Sequence, residues 1–337
     1  MPGLAGVEGE FSVGLDVGSA NISVAVGRTG YGKTIELLTL VQYPSLGVRK
    51  GMVVNIDEAS RAISQAVFKA GARSGVDISA AFAGFTCTGA RILAVDGPVA
   101  TSGWTMILPS NQVDNLSAAI EKAGLAVDGI MLNCQAVARL ALREAEVSLG
   151  TVVLDLGAET TSIALVRNRA VEDLVVLPVG SGHITSDLAI GLHTDLQRAE
   201  ELKRSYLSRP GGDDWDRDPS LQSLVNNIVG ARVDEIMELI RDALEGMGCL
   251  ARAPGGILFV GGGSRLPGLG KILSGKLDIS VRIPDGENFA PFSDMSGHPE
   301  HAAVLGLLLS DADRRRGELN VRSVGLIDRI KGLIRKP

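Results

Sequence analysis

Residues 151–166 read TVVLDLGAETTSIALV, and the fold turns on how this stretch is taken. An apolar strand, Val152-Val153-Leu154, delivers Asp155 into a tight turn, Gly157-Ala158-Glu159-Thr160-Thr161, and a second strand, Ile163 to Val166, leads away. A carboxylate at the mouth of a Gly- and Thr-rich turn is a device for phosphate and metal. Backbone N–H groups and hydroxyls cradle oxyanions, while the Asp holds a hydrated cation. Gly and Asp favour turns in any case, so an ordinary β-hairpin would read the same way. The pattern, however, occurs twice. Residues 11–26, FSVGLDVGSANISVAV, lie over it without a gap, with Asp16 on Asp155, Gly18 on Gly157, Ser23 on Ser162 and Ala25 on Ala164. The offset is constant at 139 residues (155 less 16). One long period seen twice points to two similar domains that share a cleft, not to a solenoid of short repeats.

The bulk properties fit that division. A chain of 337 residues holds two compact domains, each with its own core. It is 45% apolar but only 4% aromatic, so Val, Ile, Leu and Ala must fill the interior. A net charge of −6 excludes general affinity for nucleic acid, which needs a basic face. Cys87, Cys134 and Cys249 share no CxxC spacing, and free buried thiols in a reducing cytosol are expected. The opening MPGLAGVEGE has neither a basic nor an apolar leader region, and no run is long enough to span a bilayer, so a cytosolic protein is expected.

Along the chain, strands and helices alternate, which predicts an α/β architecture. Asp57 is a candidate N-cap for a helix through Arg73, and further helices are expected at 111–123, 136–146, 196–206 and 221–244. Residues 97–110 show no clear period, residues 208–219 read as a solvated acidic loop, and the run Ala302 to Leu309 should end the globular part. Residues 27–34, GRTGYGKT, satisfy the P-loop pattern G-x-x-x-x-G-K-[ST]. That device needs a helix directly after the Lys, so that the helix N-terminus faces phosphate. Here IELLTLVQYP follows, rich in β-formers, so a hairpin turn with Lys33 in solvent is predicted instead.

Four motifs stand in order: DVGSANIS, DLGAETTS, an AEELK helix, and a strand ending in GGGSRLPG. Together they resemble the superfamily of actin, the heat-shock chaperones and the sugar kinases. Within it, phrases such as YPSLGVRKGMVVNIDEASRAISQAV and LPVGSGHITSDLAIGLHTDLQRAEELK are similar to the FtsA family of bacterial cell-division proteins. The resemblance implies a duplicated, two-lobed actin-like fold with an ATP cleft between the lobes. It implies lobes at 1–150 and 151–310, a small subdomain around 205–255, a linker at 311–322, and a terminal amphipathic helix at 323–337. The cofactors implied are ATP and Mg²⁺. Asp16, Gly18, Ser19, Ala20 and Asn21 would form the first phosphate turn, and Asp155, Gly157, Thr160 and Thr161 the second. Asp16 and Asp155 would hold Mg²⁺ through water. Ser181 and Gly182 would lie near the phosphates, Glu200 and Lys203 would flank ribose and adenine, and Gly261, Gly262, Gly263 and Ser264 would carry the adenosine.

Three departures from the family pattern matter. Asn133 stands where an acidic residue usually positions the attacking water, and an amide cannot accept its proton. Glu159 replaces a turn glycine and Ser162 a turn aspartate, which puts an added negative charge near phosphate. The inserted subdomain that the family carries in its first half (1C) is reduced to a short stretch around Gly97 to Pro109. The first two points lower the expected ATP turnover to a slow rate at most.

In the last residues, Leu326, Ile327, Ile330, Leu333 and Ile334 form one stripe at 100° per residue, bordered by Arg329, Lys331, Arg335 and Lys336. A short basic amphipathic helix fits the surface of an anionic membrane, though it would also fit a helix docked on the body. One such helix binds lipid marginally, so stable attachment needs many copies in a filament. The family resemblance implies a membrane anchor at the cytoplasmic face of the division site, self-assembly, and capture of the C-terminal peptide of FtsZ, with Arg232 a candidate contact. Two alternatives stay open: a pilus-assembly platform of the PilM kind, and a small-molecule kinase of the same fold.

Overall fold

The computed structural model describes residues 10–30, 34–95, 103–208, 219–285, 289, 292 and 298–319. A meander of β1 (Glu10–Val17), β2 (Asn21–Thr29) and β3 (Ile35–Pro44) opens the first lobe. Two short strands, β4 (Val48–Arg49) and β5 (Met52–Val53), lead to α1 (Ile56–Ser74) and β6 (Ala80–Phe85). The hairpin β7 (Arg91–Val95) and β8 (Gly103–Ile107) follows, then α2 (Ser110–Lys122), β9 (Ala126–Leu132), α3 (Asn133–Ala141) and α4 (Glu144–Leu149). The second lobe repeats the plan with β10 (Thr151–Leu156), β11 (Thr161–Arg167) and β12 (Ala170–Leu177). After it come α5 (Gly182–Gly191), α6 (Leu196–Ser208), α7 (Pro219–Gly246), β13 (Ile257–Val260), α8 (Leu269–Leu277) and β14 (Val281–Arg282). The helix α9 (Ala302–Arg315) closes the described chain.

The duplication read from the sequence is present in the sheets. Their strand orders are β3-β2-β1-β6-β9 and β12-β11-β10-β13-β14, the same five-stranded topology twice. Asp16 pairs with Ser23 in one, and Asp155 with Ser162 in the other, at the 139-residue offset. Central strands such as β2 are buried along both faces, which is why they read as continuous apolar runs. In the second sheet, side chains alternate between two cores. Val153, Ala164 and Val166 join the core of the first lobe, while Val152, Leu154 and Leu165 pack with Ile240 of α7 and Leu269 of α8. All three cysteines are buried and free.

Several expectations need correcting. The cap of α1 is Asn55, whose side chain accepts from the N–H groups of Asp57 (3.1 Å) and Glu58 (3.2 Å). Asp57 sits in the first turn, where its charge suits the helix dipole. The hairpin expected at GRTGYGKT, by contrast, is present: Thr29 pairs with Ile35, Gly30 N–H donates to Thr34 O at 3.1 Å, and β3 follows where a P-loop needs a helix. Lys33 itself lies outside the described residues. The helix expected at 136–146 is two helices, because Leu142 is extended (φ −81, ψ 134). Arg282, from the second lobe, stabilises the break by donating to the Ala141 carbonyl (2.9 Å) and to both oxygens of Glu146 (2.8 and 2.6 Å). Where no period was legible, β8 pairs with β7, and the hairpin lies against β12.

The largest correction concerns the end of the second lobe. The expected boundary at 310 is crossed by α9, which takes in the first residues of the expected tether as far as Arg315 and returns to pack on β1, β6 and α3 of the first lobe; residues 320–322 of that tether lie outside the described residues. Asp311 is fully buried, accepting from Val13 N–H (3.0 Å) and pairing with Arg314 (2.9 Å) and Arg315 (3.0 Å). The charges that read as solvated linker are therefore an internal network. α9 can approach because Gly306 has no side chain: a Cβ there would lie 2.2 Å from the Ala136 carbonyl oxygen. The acidic stretch 209–218 and the amphipathic stripe at 326–336 lie outside the described residues. No helix among the described residues is long and apolar enough to cross a membrane.

Candidate functional site: the cleft between the lobes

The two turns face one cavity of about 930 Å³ between the lobes. Each turn is closed by the same hydrogen bond, Gly18 N–H to Asn21 O (3.1 Å) in the first and Gly157 N–H to Thr160 O (2.9 Å) in the second. Each is pinned by its own lobe. Ser19 Oγ accepts from Gly51 N–H at 2.9 Å, and the second turn is gripped by Ser181 N–H on Gly157 O and Gly182 N–H on Ala158 O, both 2.8 Å. Such bracing fixes the orientation of turn amides, which is what an anion cradle requires.

Asp16 and Asp155 both line the cavity, and neither has an arginine or lysine ion-pair partner among the described residues. Burial pushes Asp16 up to about 7; the Asn133 amide, donating from Nδ2 at 2.8 Å, opposes the rise, and the Asp155 charge adds to it. Burial alone pushes Asp155 up to about 6. Two desolvated carboxyls facing each other without a cation fit a pair that takes a hydrated divalent ion. The adjoining Gly-rich turn is shaped around this pair. Gly261 has φ 85, and a Cβ on it would stand 2.2 Å from Asp155 Oδ1.

The remaining sequence-derived residues divide into cavity wall and support. Ala20, Asn21, Thr160, Ser181, Gly182, Asn133, Gly261 and Gly262 line the cavity with Glu200 and Lys203. Lys203 is not a solvated helix lysine. It is 7% exposed, pairs with Glu200 at 2.6 Å and donates to Thr185 Oγ1 at 2.8 Å and Ser181 O at 3.3 Å. Burial lowers the Lys203 ammonium although Glu200 opposes it, while Glu200 itself is held low by Lys203 and Thr185 against its own burial. Thr161, Gly263 and Ser264 stand behind the wall. Thr161 is fully buried and donates to Val179 O (2.7 Å), and Ser264 Oγ donates to Gly261 O (2.7 Å), so both brace the turns.

Two features were not legible in the sequence. Thr185 joins Glu200 and Lys203 from the neighbouring helix, and Arg49 reaches across the cleft. Glu159, read as an adverse charge near phosphate, spends that charge on the other lobe: it accepts from Arg49 Nη1 (3.0 Å) and from Lys50 N–H (2.7 Å). Arg232 is engaged as well, forking onto Asp187 (2.5 and 2.9 Å) and reaching Glu235 (2.6 Å), which ties α7 to α5.

Twice-repeated sheets, paired turns and a central cleft define an actin-like two-lobed protein. A chain of the PilM–PilN type IV pilus biogenesis complex superposes with TM-score 0.70, at 20% identity, over 92% of this chain and 99% of that one. MreB 5 of Spiroplasma citri bound to AMPPNP superposes with TM-score 0.64, at 14% identity, over 91% and 98%. The particular family comes from sequence. The family model for Cell division protein FtsA matches residues 152–306. The Cell division protein FtsA of Pseudomonas aeruginosa is 26% identical over 372 aligned residues, covering 89% of each chain. Over most of its length the chain is thus similar in sequence to Cell division protein FtsA, and its fold is actin-like.

Proposed function

We propose that this protein binds ATP with Mg²⁺ in the interlobe cleft and links FtsZ filaments to the cytoplasmic face of the membrane at the division site, assembling with copies of itself. The observation that carries the nucleotide part is the pair of equivalently closed turns flanking two carboxyls with no cationic partner among the described residues. In this reading the turn amides around Ser19 and Ala158 orient phosphate oxygens, and Asp16 and Asp155 hold the waters of the metal ion. The buried Lys203–Glu200 pair, steadied by Thr185, would contact the nucleoside. Bound metal would supply charge neutralisation only. Asn133 donates its amide to Asp16, so it orients that carboxylate and offers no base.

The tether part rests on the family and on the basic stripe Leu326 to Lys336, with attachment multiplied by filament formation. Arg232 would act in FtsZ capture by holding α7 on α5 rather than by standing free. The match of sequence to FtsA proteins favours this reading over a pilus platform or a kinase.

Calorimetry with Mg·ATP tests the first part. The full chain should bind one nucleotide, and Asp155→Asn should weaken it about tenfold or more, the equivalent of about 1.4 kcal/mol. Absence of saturable binding ends the nucleotide reading. Co-sedimentation of FtsZ with anionic liposomes tests the second part, and should require residues 323–337.

A further inference from the structure

A second cluster stands at the edge of the cleft and is used by none of the roles above. The turn Pro299–His301 leads into α9 and carries Glu300 and His301, with His298 just before it. The three side chains each offer a ligand atom, and these atoms lie within 4.8 Å of one another. The rings of His298 and His301 stack with centroids 5.5 Å apart. One oxygen of Glu300, Oε1, is shared between His298 Nδ1 (3.3 Å) and the Arg265 guanidinium. Its other oxygen, Oε2, and His301 Nδ1 are buried with no hydrogen-bond partner among the described residues, and His301 is 8% exposed. Orphaned buried acceptors are costly, and two on adjacent residues ask for a common partner.

We propose that His298, Glu300 and His301 form a site for one borderline transition cation of the Zn²⁺ class. Two imidazoles and a carboxylate are a ligand set such ions take, with a fourth position left to water. Bonds of about 2.0–2.2 Å in a tetrahedral site place ligand atoms about 3.4 Å apart. The cluster must therefore contract on binding, and His298, 45% exposed, is free to swing.

The position gives the site a consequence. Gly261 N–H donates to Pro299 O at 3.2 Å, and Arg265 comes from the same Gly-rich turn, which belongs to the second lobe. His301 caps α9, which packs on the first lobe. A bound cation competes with Arg265 for Glu300 and fastens the turn to the hinge helix. The inference is independent of the nucleotide reading.

The test is titration of the metal-free full chain with Co²⁺, read by visible absorption, and with Zn²⁺, read by calorimetry. One ion per chain should bind, with nitrogen and oxygen ligation and no thiolate charge-transfer band. His298→Ala and Glu300→Gln should each weaken it at least about tenfold, since even loss of an outer-shell partner costs that much. Asp155→Asn should bind as wild type. The proposal is overturned by the absence of saturable binding, by a thiolate band, or by unchanged affinity in the first two variants. Loss of binding in Asp155→Asn would overturn it as well, by moving the ion to the cleft carboxylates.

Discussion

Asp16 is the cleft carboxyl that burial shifts furthest. Its carboxyl holds a proton more tightly in the folded chain, near 7, than the ordinary 3.8 of an unfolded one. The folded state therefore binds the extra proton, and the stability this gives is complete below about pH 3.8 and lost as pH rises through about 7. Asp155 acts in the same direction over a narrower window, up to about 6. Asp16→Asn removes the dominant part. Melting curves of the nucleotide-free protein from pH 4 to 8 should show the variant gaining on wild type as pH rises, by up to about 1.4 kcal/mol per pH unit. A difference that stays flat across that range would contradict a desolvated Asp16.

Among the elements, α9 decides the most, since it ends a chain that has already built the second lobe and returns to the first. Its charged end is anchored at Asp311, which is fully buried between Arg314, Arg315 and the Val13 amide, while Asp128 receives both arginines at 2.7 and 2.6 Å. Removing one member of a buried ionic network strands the others. Asp311→Ala should therefore cost about 3–5 kcal/mol in urea unfolding, whereas at a position in a solvated tether the change would stay within about 0.5 kcal/mol. The second outcome would return residues 311–315 to the linker expected from their composition. Gly306 sets the helix distance, so Gly306→Ala should destabilise by about 1–3 kcal/mol through overpacking against α3.

At the level of the whole molecule, Glu159 is a latch between lobes. The contact to Arg49 is worth little alone, because that side chain is 75% exposed and screened by water. The contact to the Lys50 N–H at 2.7 Å is a charge-assisted bond from one lobe's turn to the other lobe's hairpin. Glu159→Gln keeps the shape and removes the charge. Amide exchange at Lys50 should rise about 10- to 150-fold, the equivalent of the 1.5–3 kcal/mol such bonds carry, and solution scattering should report a wider lobe separation. Unchanged exchange at Lys50 would show that the lobes are held without this bond, by apolar contacts through Val153, Ala164 and Leu258 and by the Arg282–Glu146 pair.

The duplicated sheets, the two turns and the hairpin that mimics a P-loop were all readable from the chain, because each depends on apolar alternation and turn chemistry confined to a dozen or so neighbouring residues. The cleft lining followed in outline from the same turns. Other features waited on the fold. The resemblance puts Thr161 in a phosphate turn and Ser264 against the adenosine, yet their hydroxyls turn inward to Val179 O and Gly261 O. Glu159 meets its partner 110 residues away, and Asp311 meets Val13 across 298. A linear pattern records that a charge is present and how its neighbours alternate. Whether that charge is solvated, paired or buried is decided by which distant segment packs over it, and here that was settled only when α9 came back to the first lobe.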